Sequence, residues 1–251
     1  MITIITVTYN AEQTLERTLM SVEQQSYTDI EHIIQDGGSR DGTLAIAQRY
    51  KERAEQRGIV VRIASEPDSG LYDAMNKALK SATGDYVCFL NAGDKLHGAD
   101  TLLHVSEAVG DADDVCVVYG DTDIVDNDGR RLRGRRLTPP QHLTWESFKD
   151  GMLVCHQSFY ANREVAEEYN LNYRFSADFD WCVRVLKAGD VLGMRNVGLK
   201  EVLTDYLSEG MTTANHKASL IERFRIMAHH YGLWCAVARH VWFVLRAVIR
   251  K

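Results

Sequence analysis

Proline is scarce in this chain of 251 residues, which has only 3 copies, while hydrophobic residues make up 45% of it. This composition excludes a disordered chain, because it provides enough apolar surface to offset the entropy lost on folding. The five cysteines form no CxxC pair, and no secretory signal is evident at the N-terminus. We therefore expect reduced thiols in the cytoplasm. Core positions are predicted for Cys88, Cys116, Cys155, Cys182 and Cys235.

Basic residues are few in most of the chain. Residues 217–251 carry seven Lys/Arg against the single acid Glu222, a net of +6, so residues 1–216 must carry −12 to give the overall −6. An acidic body argues against nucleic acid as a partner, whereas a basic C-terminal segment can approach an anionic surface.

The first hundred residues alternate strand-like and helix-like patterns. Four strand-like runs end in polar turns, and helical stretches such as LYDAMNKALKSA separate them: MITIITVTYN, IEHIIQDGGS, IVVRIASEPDSG and DYVCFLNAGD. This alternation predicts an α/β fold with a mostly parallel central sheet flanked by helices, and a ligand site at the carboxyl ends of the strands. Those ends contain neither GxGxxG nor GxxxxGK[ST], which excludes the dinucleotide fingerprint and the P-loop.

The pattern changes after residue 115. The stretch VCVVYGDTDIVDNDGRRLRGRRL predicts two strands around a turn at residues 127–129, followed by the Pro139-Pro140 break. No internal repeat, low-complexity tract or flexible linker marks a second domain. We therefore expect the second half to extend the same sheet.

Five motifs in register carry a resemblance to a known family: VTYN, QDGGSRDGT, SEPDSGLYDAMNKAL, FLNAGD and ADFDWCVRVLKAG. Their order and spacing resemble family 2 glycosyltransferases with the GT-A fold. The combination of EPDSGLYDAMNK, FLNAGD, CHQSFY and EGMTT is similar to the subgroup that builds bacterial exopolysaccharide and O-antigen repeat units, including colanic-acid-type enzymes. The resemblance implies a GT-A domain over 1–215, with a nucleotide-sugar-binding half at 1–114, an acceptor-binding half at 115–215 and a C-terminal helical extension at 216–251.

The same resemblance implies roles for residues of the first half. Thr8, Tyr9 and Asp36 match the nucleotide-base pocket, where Asp36 would accept hydrogen bonds from base N–H groups. Asp68 and Asp73 match the segment beside the ribose and the donor sugar. For each aspartate the alternative is local, because Asp also forms turns and caps helices.

Residues 91–94 match the family's metal motif. Carboxylates at a strand end suit Mg²⁺ or Mn²⁺, since these hard cations prefer oxygen ligands and bridge phosphates. Here Asn91 and Gly93 stand where many relatives have Asp, so Asp94 is the only carboxylate of the motif and the expected metal ligand. Asn91 remains a candidate contact to the donor sugar or the acceptor.

Asp178 matches the catalytic acidic motif of the family, although Ala177 replaces the Glu that usually precedes it. We predict that Asp178 is the general base and that Asp180 is its neighbouring competitor. The alternative for Asp178 is an acidic residue that only complements the helix dipole. His156 and Gln157 match positions that face the acceptor or the donor phosphate, and a structural role is the alternative for the histidine.

Two interpretations stay open for the arginines at positions 130–136. They would either bind an acceptor diphosphate or line the edge of a solvated hairpin, where their charge prevents pairing with another strand.

The C-terminal segment has a segregated helical pattern. Arg239, Arg246 and Arg250 form a stripe, and the apolar residues share the opposite side: Leu233, Val237, Val241, Val244, Leu245 and Val248. The pattern predicts a helix that lies in a membrane interface, with Trp234 and Trp242 near the boundary. A membrane span is disfavoured because arginines interrupt the segment. The alternative is a helix packed on the domain or on a second subunit of a homo-oligomer.

Together these features predict an inverting enzyme that transfers a sugar from a GDP- or UDP-linked donor to a hydroxyl of a lipid-linked oligosaccharide. Mn²⁺ or Mg²⁺ and a carboxylate base would assist the displacement. The expected location is the cytoplasmic face of the inner membrane, in cell-surface polysaccharide biosynthesis. Two other classes stay open, a catalytically inactive nucleotide-sugar-binding module and a sugar nucleotidyltransferase. The latter would be expected to carry a Gly- and Arg-rich N-terminal phosphate loop, and TVTYNAEQT is not one.

Overall fold

The computed structural model describes residues 1–208 and 216–249 of the chain. Four strands and three helices alternate in its first part, as the sequence pattern predicts. In chain order they are β1 (Ile2–Thr8), α1 (Leu15–Glu23), β2 (Ile30–Asp36), α2 (Thr43–Gln56), β3 (Val60–Ser65), α3 (Leu71–Ser81) and β4 (Tyr86–Phe89).

The second part is less regular. It contains β5 (Lys95–Leu96), α4 (Thr101–Val109), β6 (Val115–Val125), β7 (Arg131–Gly134), β8 (Phe159–Asn162), α5 (Ala177–Val191), β9 (Arg195–Leu207), α6 (His216–Tyr231) and α7 (Leu233–Ile249). Three short 3-10 helices cover Trp145–Asp150, His156–Ser158 and Arg163–Val165. The hairpin of β6 and β7 confirms the two strands predicted around residues 127–129.

All described strands join one sheet in the order β3-β2-β1-β4-β8-β6-β9-β5, with β7 paired to β6. The α/β prediction is confirmed, but the sheet is mixed. The pairs from β3 to β4 are parallel, whereas β8 runs antiparallel to both β4 and β6. Strand β9 is parallel to β6, and β5 runs antiparallel to β9.

This topology decides which loops meet. The ends of β1, β2, β4, β6 and β9 share one edge of the sheet with the starts of β5 and β8. The loop between β4 and β5 and the loop before β8 therefore lie at the same edge, although more than fifty residues separate them in the sequence.

Two apolar layers cover the sheet. Helices α1, α2 and α4 pack on one face, and α3, α5 and α6 pack on the other. Trp181 of α5 is fully buried and lies edge-on to Phe89 of β4, with 5.4 Å between the ring centroids. Burial of a side chain of this size stabilises the fold by about 3 kcal/mol. Four of the five cysteines are buried as predicted, and Cys235 is half-buried.

The C-terminal helices are packed against the rest of the chain. Ile226 and Met227 of α6 and Ala236 of α7 are buried in the same core as α5. On α7, Arg239 pairs with Asp150, so part of the predicted arginine stripe faces the protein. The division of the chain at residue 216 stays a prediction.

The apolar side of α7 predicted from the sequence lies largely in solvent. Its exposed members are Leu233, Val237, Val241, Val244 and Leu245, with Trp234 and Trp242 nearby. The side chains of Val248 and Arg250 lie outside the described residues. Within the described part of the chain, no helix combines the length and the apolar character that a membrane span requires.

Candidate active site

The loop after β2 is organised around the carboxylate of Asp36, which is fully buried. The carboxylate accepts hydrogen bonds from the backbone N–H groups of Gly38 at 3.1 Å and Ser39 at 2.9 Å. The hydroxyls of Ser39 and Ser65 also donate to it, the latter at 2.6 Å. Four donors nearly fill the acceptor sites of one carboxylate. In this conformation Asp36 shapes the loop, and Oδ1, which accepts only the Ser39 hydroxyl, keeps one acceptor site for the expected contact with a base.

Tyr9 and Asp68 closely flank Gly37, and we call the surface formed by these three residues the Gly37 pocket. A Cβ atom on Gly37 would lie 2.4 Å from Asp68 Oδ2 and 3.3 Å from the ring of Tyr9, so only glycine leaves this space open. The Tyr9 side chain is 63% exposed and offers a flat face. Thr8 precedes Tyr9 at the end of β1, and its Oγ1 atom is buried without a hydrogen-bond partner among the described residues. The pocket therefore combines a stacking surface and a carboxylate, and a polar atom that lacks a partner belongs to the adjacent residue.

Asp73 has a local role in the structure. Its carboxylate accepts the backbone N–H of Ser69 at 2.9 Å and lies 3.6 Å from Lys77 Nζ, one turn further along α3. This is the capping alternative considered from the sequence. The carboxylate of Asp68 likewise accepts the N–H of Gly70 at 2.8 Å, but it also borders the pocket.

Asp94 occupies the bend between β4 and β5 and is 4% exposed. One carboxylate oxygen accepts Gln157 Nε2 at 2.9 Å, and the other accepts the N–H of Leu207 at 2.9 Å. Burial raises the pKa of Asp94 to about 6, although these hydrogen bonds oppose the effect. The sequence could not show that Gln157 reaches Asp94.

The surroundings of Asp94 fit a divalent cation that has few protein ligands. Asn91 Oδ1 is buried and has no hydrogen-bond partner among the described residues. An amide oxygen and a carboxylate are ligands that Mg²⁺ and Mn²⁺ accept, with water and phosphate filling the other positions. Asn91 and Asp94 would hold such an ion.

One cluster in the described residues brings three metal-type ligands together, namely His97, Asp123 and Asp205. His97 directly follows β5, Asp123 lies on β6 and Asp205 lies on β9, and the cluster does not include Asp94. Lys95 pairs with Asp205 at 3.0 Å, and Arg131 pairs with Asp123, so cationic side chains already balance both carboxylates. This pairing favours an ion-pair network at that place.

Asp178 lies at the start of α5 in a polar network. His156 Nδ1 is 3.5 Å from one carboxylate oxygen, while the other accepts the Tyr72 hydroxyl at 3.2 Å and the N–H of Phe179 at 2.9 Å. On its other side, His156 Nε2 is 3.5 Å from Asn91 Nδ2. Burial raises the pKa of Asp178, but the hydrogen bond and charge of His156 and the charge of Arg223 hold it below its ordinary value. Asp178 is therefore a carboxylate at neutral pH, and its side chain is still 21% exposed.

Asp180 is 2% exposed and pairs with two side chains. Arg184 Nε and His230 Nε2 each lie 2.8 Å from one of its carboxylate oxygens. Burial raises the pKa of Asp180, and these two partners reverse the effect and hold it below its ordinary value. The geometry favours Asp180 as a link between α5 and α6 over its role as a competing base.

Four residues near this site were not predicted individually from the sequence. Tyr72 contacts Asp178, and Arg223 affects its pKa from α6. Burial raises the pKa of Tyr206, and the charges of Asp94 and Asp178 nearby raise it further. Arg135 donates to the backbone carbonyls of Met152 and Leu153, so at least this member of the arginine group points inward. Two of the four had a sequence signal, since Tyr72 belongs to the SEPDSGLYDAMNKAL motif and Arg135 belongs to the arginine group.

Comparison with known proteins identifies the family. Residues 3–170 match the family described as Glycosyl transferase family 2. This chain belongs to glycosyltransferase family 2. It is 36% identical over 187 residues to the PGL/p-HBAD biosynthesis glycosyltransferase of Mycobacterium bovis (strain BCG / Pasteur 1173P2), covering 73% of this chain and 69% of that protein. It is 29% identical to a Bacillus subtilis (strain 168) protein named for teichuronic acid biosynthesis, TuaG, over 100% of this chain and 89% of TuaG.

Solved structures share the GT-A fold of this family 2 glycosyltransferase. S. aureus TarS 1-349 in complex with UDP-GlcNAc matches with a TM-score of 0.67 at 18% identity, over 90% of this chain and 64% of that one. The mannosyltransferase PcManGT from Pyrobaculum calidifontis, in complex with GDP-Man and Mn2+, matches with a TM-score of 0.61 at 16% identity. The match covers 98% of this chain and 75% of that one. The chain spans only 42% of a longer TarS chain. The predictions of family and fold are confirmed.

Proposed function

We propose that this glycosyltransferase moves a sugar from a nucleotide-diphosphate donor to an acceptor hydroxyl with inversion at the anomeric carbon. The observation that carries the proposal is the continuity of two polar networks at one sheet edge. Gln157 donates a hydrogen bond to Asp94. Nearby, His156 contacts Asn91 with one ring nitrogen and Asp178 with the other. In this proposal the phosphate and the cation would lie at Asp94 and the proton acceptor would be Asp178, so the two would adjoin each other, as displacement of a diphosphate by a hydroxyl requires.

The nucleotide would bind in the pocket over Gly37. Its base would stack on Tyr9, and its ribose hydroxyls would donate to Asp68. Thr8 Oγ1 would gain a hydrogen-bond partner there. Asp36 would keep the loop in place in this arrangement. The structures of TarS with UDP-GlcNAc and of PcManGT with GDP-Man support a nucleotide-sugar donor, and they leave both bases as candidates for this chain.

A cation at Asp94 and Asn91 would be Mn²⁺ or Mg²⁺. When bound, it would neutralise negative charge on the departing diphosphate. The protein's own part is to fix the carboxylate of Asp94 through Gln157 and the N–H of Leu207. The PcManGT complex with Mn2+ supports this assignment.

Asp178 would take the proton of the acceptor hydroxyl while the hydroxyl oxygen attacks the anomeric carbon. The bond to the diphosphate oxygen breaks on the opposite face, and the electron pair leaves with the nucleotide diphosphate. The lowered pKa keeps Asp178 ionised and therefore able to accept a proton, although it also makes the carboxylate a weaker base. Part of its surface remains open to an acceptor. His156 and Tyr72 would orient the carboxylate.

The acceptor would be a lipid-linked saccharide of cell-surface polysaccharide or glycolipid synthesis. The names of the two relatives, for teichuronic acid and PGL/p-HBAD biosynthesis, support this class of pathway. The exposed apolar side of α7 supports contact with a membrane surface, at the cytoplasmic face of the inner membrane.

A donor panel tests the proposal. UDP- and GDP-sugars are incubated with Mn²⁺, Mg²⁺ or a chelator, and nucleotide diphosphate release is measured with and without a soluble saccharide acceptor. We expect release from one donor, stimulated by acceptor and by metal, and its loss in Asp94→Asn. Binding without release would indicate an inactive module, and consumption of a nucleoside triphosphate with sugar phosphate would indicate a nucleotidyltransferase. Either result would overturn the proposal.

A further inference from the structure

Asn10 has an unusual backbone conformation beside the Gly37 pocket. Within residues 1–208 and 216–249 it is the one residue other than glycine with a positive φ, which is 48°. It directly follows Tyr9, whose ring forms one side of the pocket. A left-handed backbone costs free energy for a residue with a Cβ atom, although asparagine tolerates it better than most residues do. Such a conformation persists where surrounding contacts fix it, and it is frequent at functional sites.

The contacts of Asn10 reach the loop after β2. Its backbone N–H donates to Ser39 Oγ at 2.8 Å, and its side-chain Oδ1 accepts the backbone N–H of Arg40 at 3.0 Å. The Ser39 hydroxyl in turn donates to Asp36 Oδ1. Asn10 is therefore joined through one hydroxyl to the carboxylate that organises this loop.

The residues after Asn10 bind the same loop. The N–H of Ala11 donates to Thr43 Oγ1 at 2.8 Å, and Glu12 Oε2 accepts the N–H of Gly42 at 2.8 Å. The N–H of Glu12 also donates to Asp41 Oδ2 at 3.2 Å. Together with the two contacts of Asn10, these hydrogen bonds join the loops after β1 and β2 into one unit, which we call the loop latch.

The loop latch controls where Tyr9 lies relative to Gly37, because the two residues come from the two loops that it joins. A Cβ atom on Gly37 would lie only 3.3 Å from the Tyr9 ring, so the ring stands directly beside this glycine. The Tyr9 side chain is 63% exposed, so packing in the core does not hold it. Its direction therefore depends on its own backbone, which the conformation and the contacts of Asn10 fix.

We propose that Asn10 is a positioning residue for the Tyr9 ring and prepares the Gly37 pocket for the base of the nucleotide before the donor binds. The proposal rests on the proposed function, in which the base stacks on Tyr9. A site that is already ordered loses less conformational entropy when its ligand binds. Asn10 acts through Tyr9 and needs no contact with the nucleotide.

Substitutions of Asn10 test this role. Asn10→Ala removes the acceptor for the N–H of Arg40 and introduces a side chain that tolerates a positive φ less well. Asn10→Asp keeps both an acceptor oxygen and this tolerance. Asn162→Ala is the matched control, because Asn162 Oδ1 also accepts a backbone N–H, from Glu164 at 3.0 Å, but lies at the opposite edge of the sheet.

Calorimetry with UDP and GDP provides the measurement, and melting temperatures show whether each variant is folded. We expect Asn10→Ala to weaken nucleotide binding on the order of tenfold, because the pocket must then become ordered when the nucleotide binds. Asn10→Asp should restore most of the affinity, and Asn162→Ala should match the wild type. Asn10→Gly provides the same test if Asn10→Ala does not fold, since glycine adopts a positive φ freely but lacks the acceptor.

A double-mutant cycle shows whether Asn10 acts through Tyr9. Tyr9→Ala removes the ring, so Asn10→Ala should weaken nucleotide binding little further in that background. If Asn10→Ala has the same effect with and without the ring, it loosens the loop in general, and the positioning role is overturned.

The positioning role is also overturned if the folded Asn10 variants that lack the acceptor bind nucleotide as tightly as Asn162→Ala does. A different result would contradict the proposed function itself. If Tyr9→Ala binds nucleotide as tightly as the wild type, the base does not stack on Tyr9, and Asn10 has no role in binding it.

Discussion

Single side chains set the shape of the donor pocket, and Gly37 is the clearest case. Substitution by alanine would place a Cβ atom 2.4 Å from Asp68 Oδ2, so the carboxylate would have to move. Because Asp68 borders the space assigned to the nucleotide, Gly37→Ala should lower nucleotide affinity on the order of tenfold. Calorimetry with UDP and GDP measures the effect.

Gly98→Ala is the control for this prediction. An added Cβ on Gly98 meets its nearest atom, Thr101 Oγ1, at 3.8 Å, which is an ordinary contact. If Gly37→Ala and Gly98→Ala bind nucleotide equally well and melt at the same temperature, the pocket over Gly37 is not the nucleotide site.

The sequence showed where the functional side chains lie along the chain, but it did not show what each one contacts. Asp36, Asp94 and Asp178 are in recognisable motifs because strand ends and helix starts have local signals. Their partners come from distant segments. Gln157 donates to Asp94 although 63 positions separate the two residues in the sequence. Arg223 belongs to a helix for which the sequence pattern indicated only a basic extension. Such contacts depend on the packing of whole layers, which no local pattern encodes.

Buried polar contacts between strands and helices make part of the fold sensitive to acid. His32 of β2 is fully buried between Thr6 of β1 and Tyr50 of α2, at 2.9 Å and 2.6 Å. Burial lowers the pKa of His32 to about 3 from its ordinary 6.5. The unfolded chain therefore binds a proton between pH 6.5 and about 3 that the folded chain does not. Stability is greatest above pH 6.5 and is lost as the pH falls through this window.

His32→Gln should weaken this pH dependence. We expect the slope of the free energy of unfolding against pH to fall by at most about 1.4 kcal/mol per pH unit below pH 6. Urea titrations between pH 4 and 7 measure it, with His229→Gln, at an exposed histidine of α6, as the control. A slope that is equal in the wild type and His32→Gln would contradict the assignment of a neutral buried histidine.

The elements of the first half could be predicted well, and those of the second half less so. From β1 to β3 each strand has a β-branched run, and β4 is a short apolar run. Each helix between them has apolar residues at helical spacing, so the parallel half follows from the pattern. Strand β8 has four residues between two 3-10 helices, which is too short for a periodic signal. Its antiparallel pairing with β4 and β6 makes the sheet mixed and brings His156 and Gln157 to the site.

For the chain as a whole, the exposed apolar side of α7 is the basis of the proposed contact with a membrane. Replacing Val241, Val244 and Leu245 with Gln should reduce binding to anionic vesicles at least about tenfold, because these exposed side chains would enter the interface. Substitution is preferable to deletion of α7, since Ala236 belongs to the core.

Vesicle co-sedimentation provides the measurement, and Val191→Gln with Leu192→Gln is the control at another exposed apolar place. Equal vesicle binding by the triple variant and the wild type would contradict a membrane role for α7. If the variant also lowered the molar mass measured by light scattering, a second subunit would be the partner of this face.

The central proposal is that Asp178 is the base, and it depends on the fold, on the two polar networks and on the proposed chemistry. One comparison of two variants tests it most directly. The transfer rate of Asp178→Asn is measured beside that of Asp180→Asn, with donor affinity and melting temperature recorded for both. Asparagine keeps the shape of the side chain but cannot accept the proton, so Asp178→Asn should lose on the order of 10²–10⁴-fold in rate while donor affinity is unchanged. Asp180→Asn should mainly lower the melting temperature, because Asp180 is paired with Arg184 and His230. An active Asp178→Asn beside a folded, donor-binding but inactive Asp180→Asn would contradict the account.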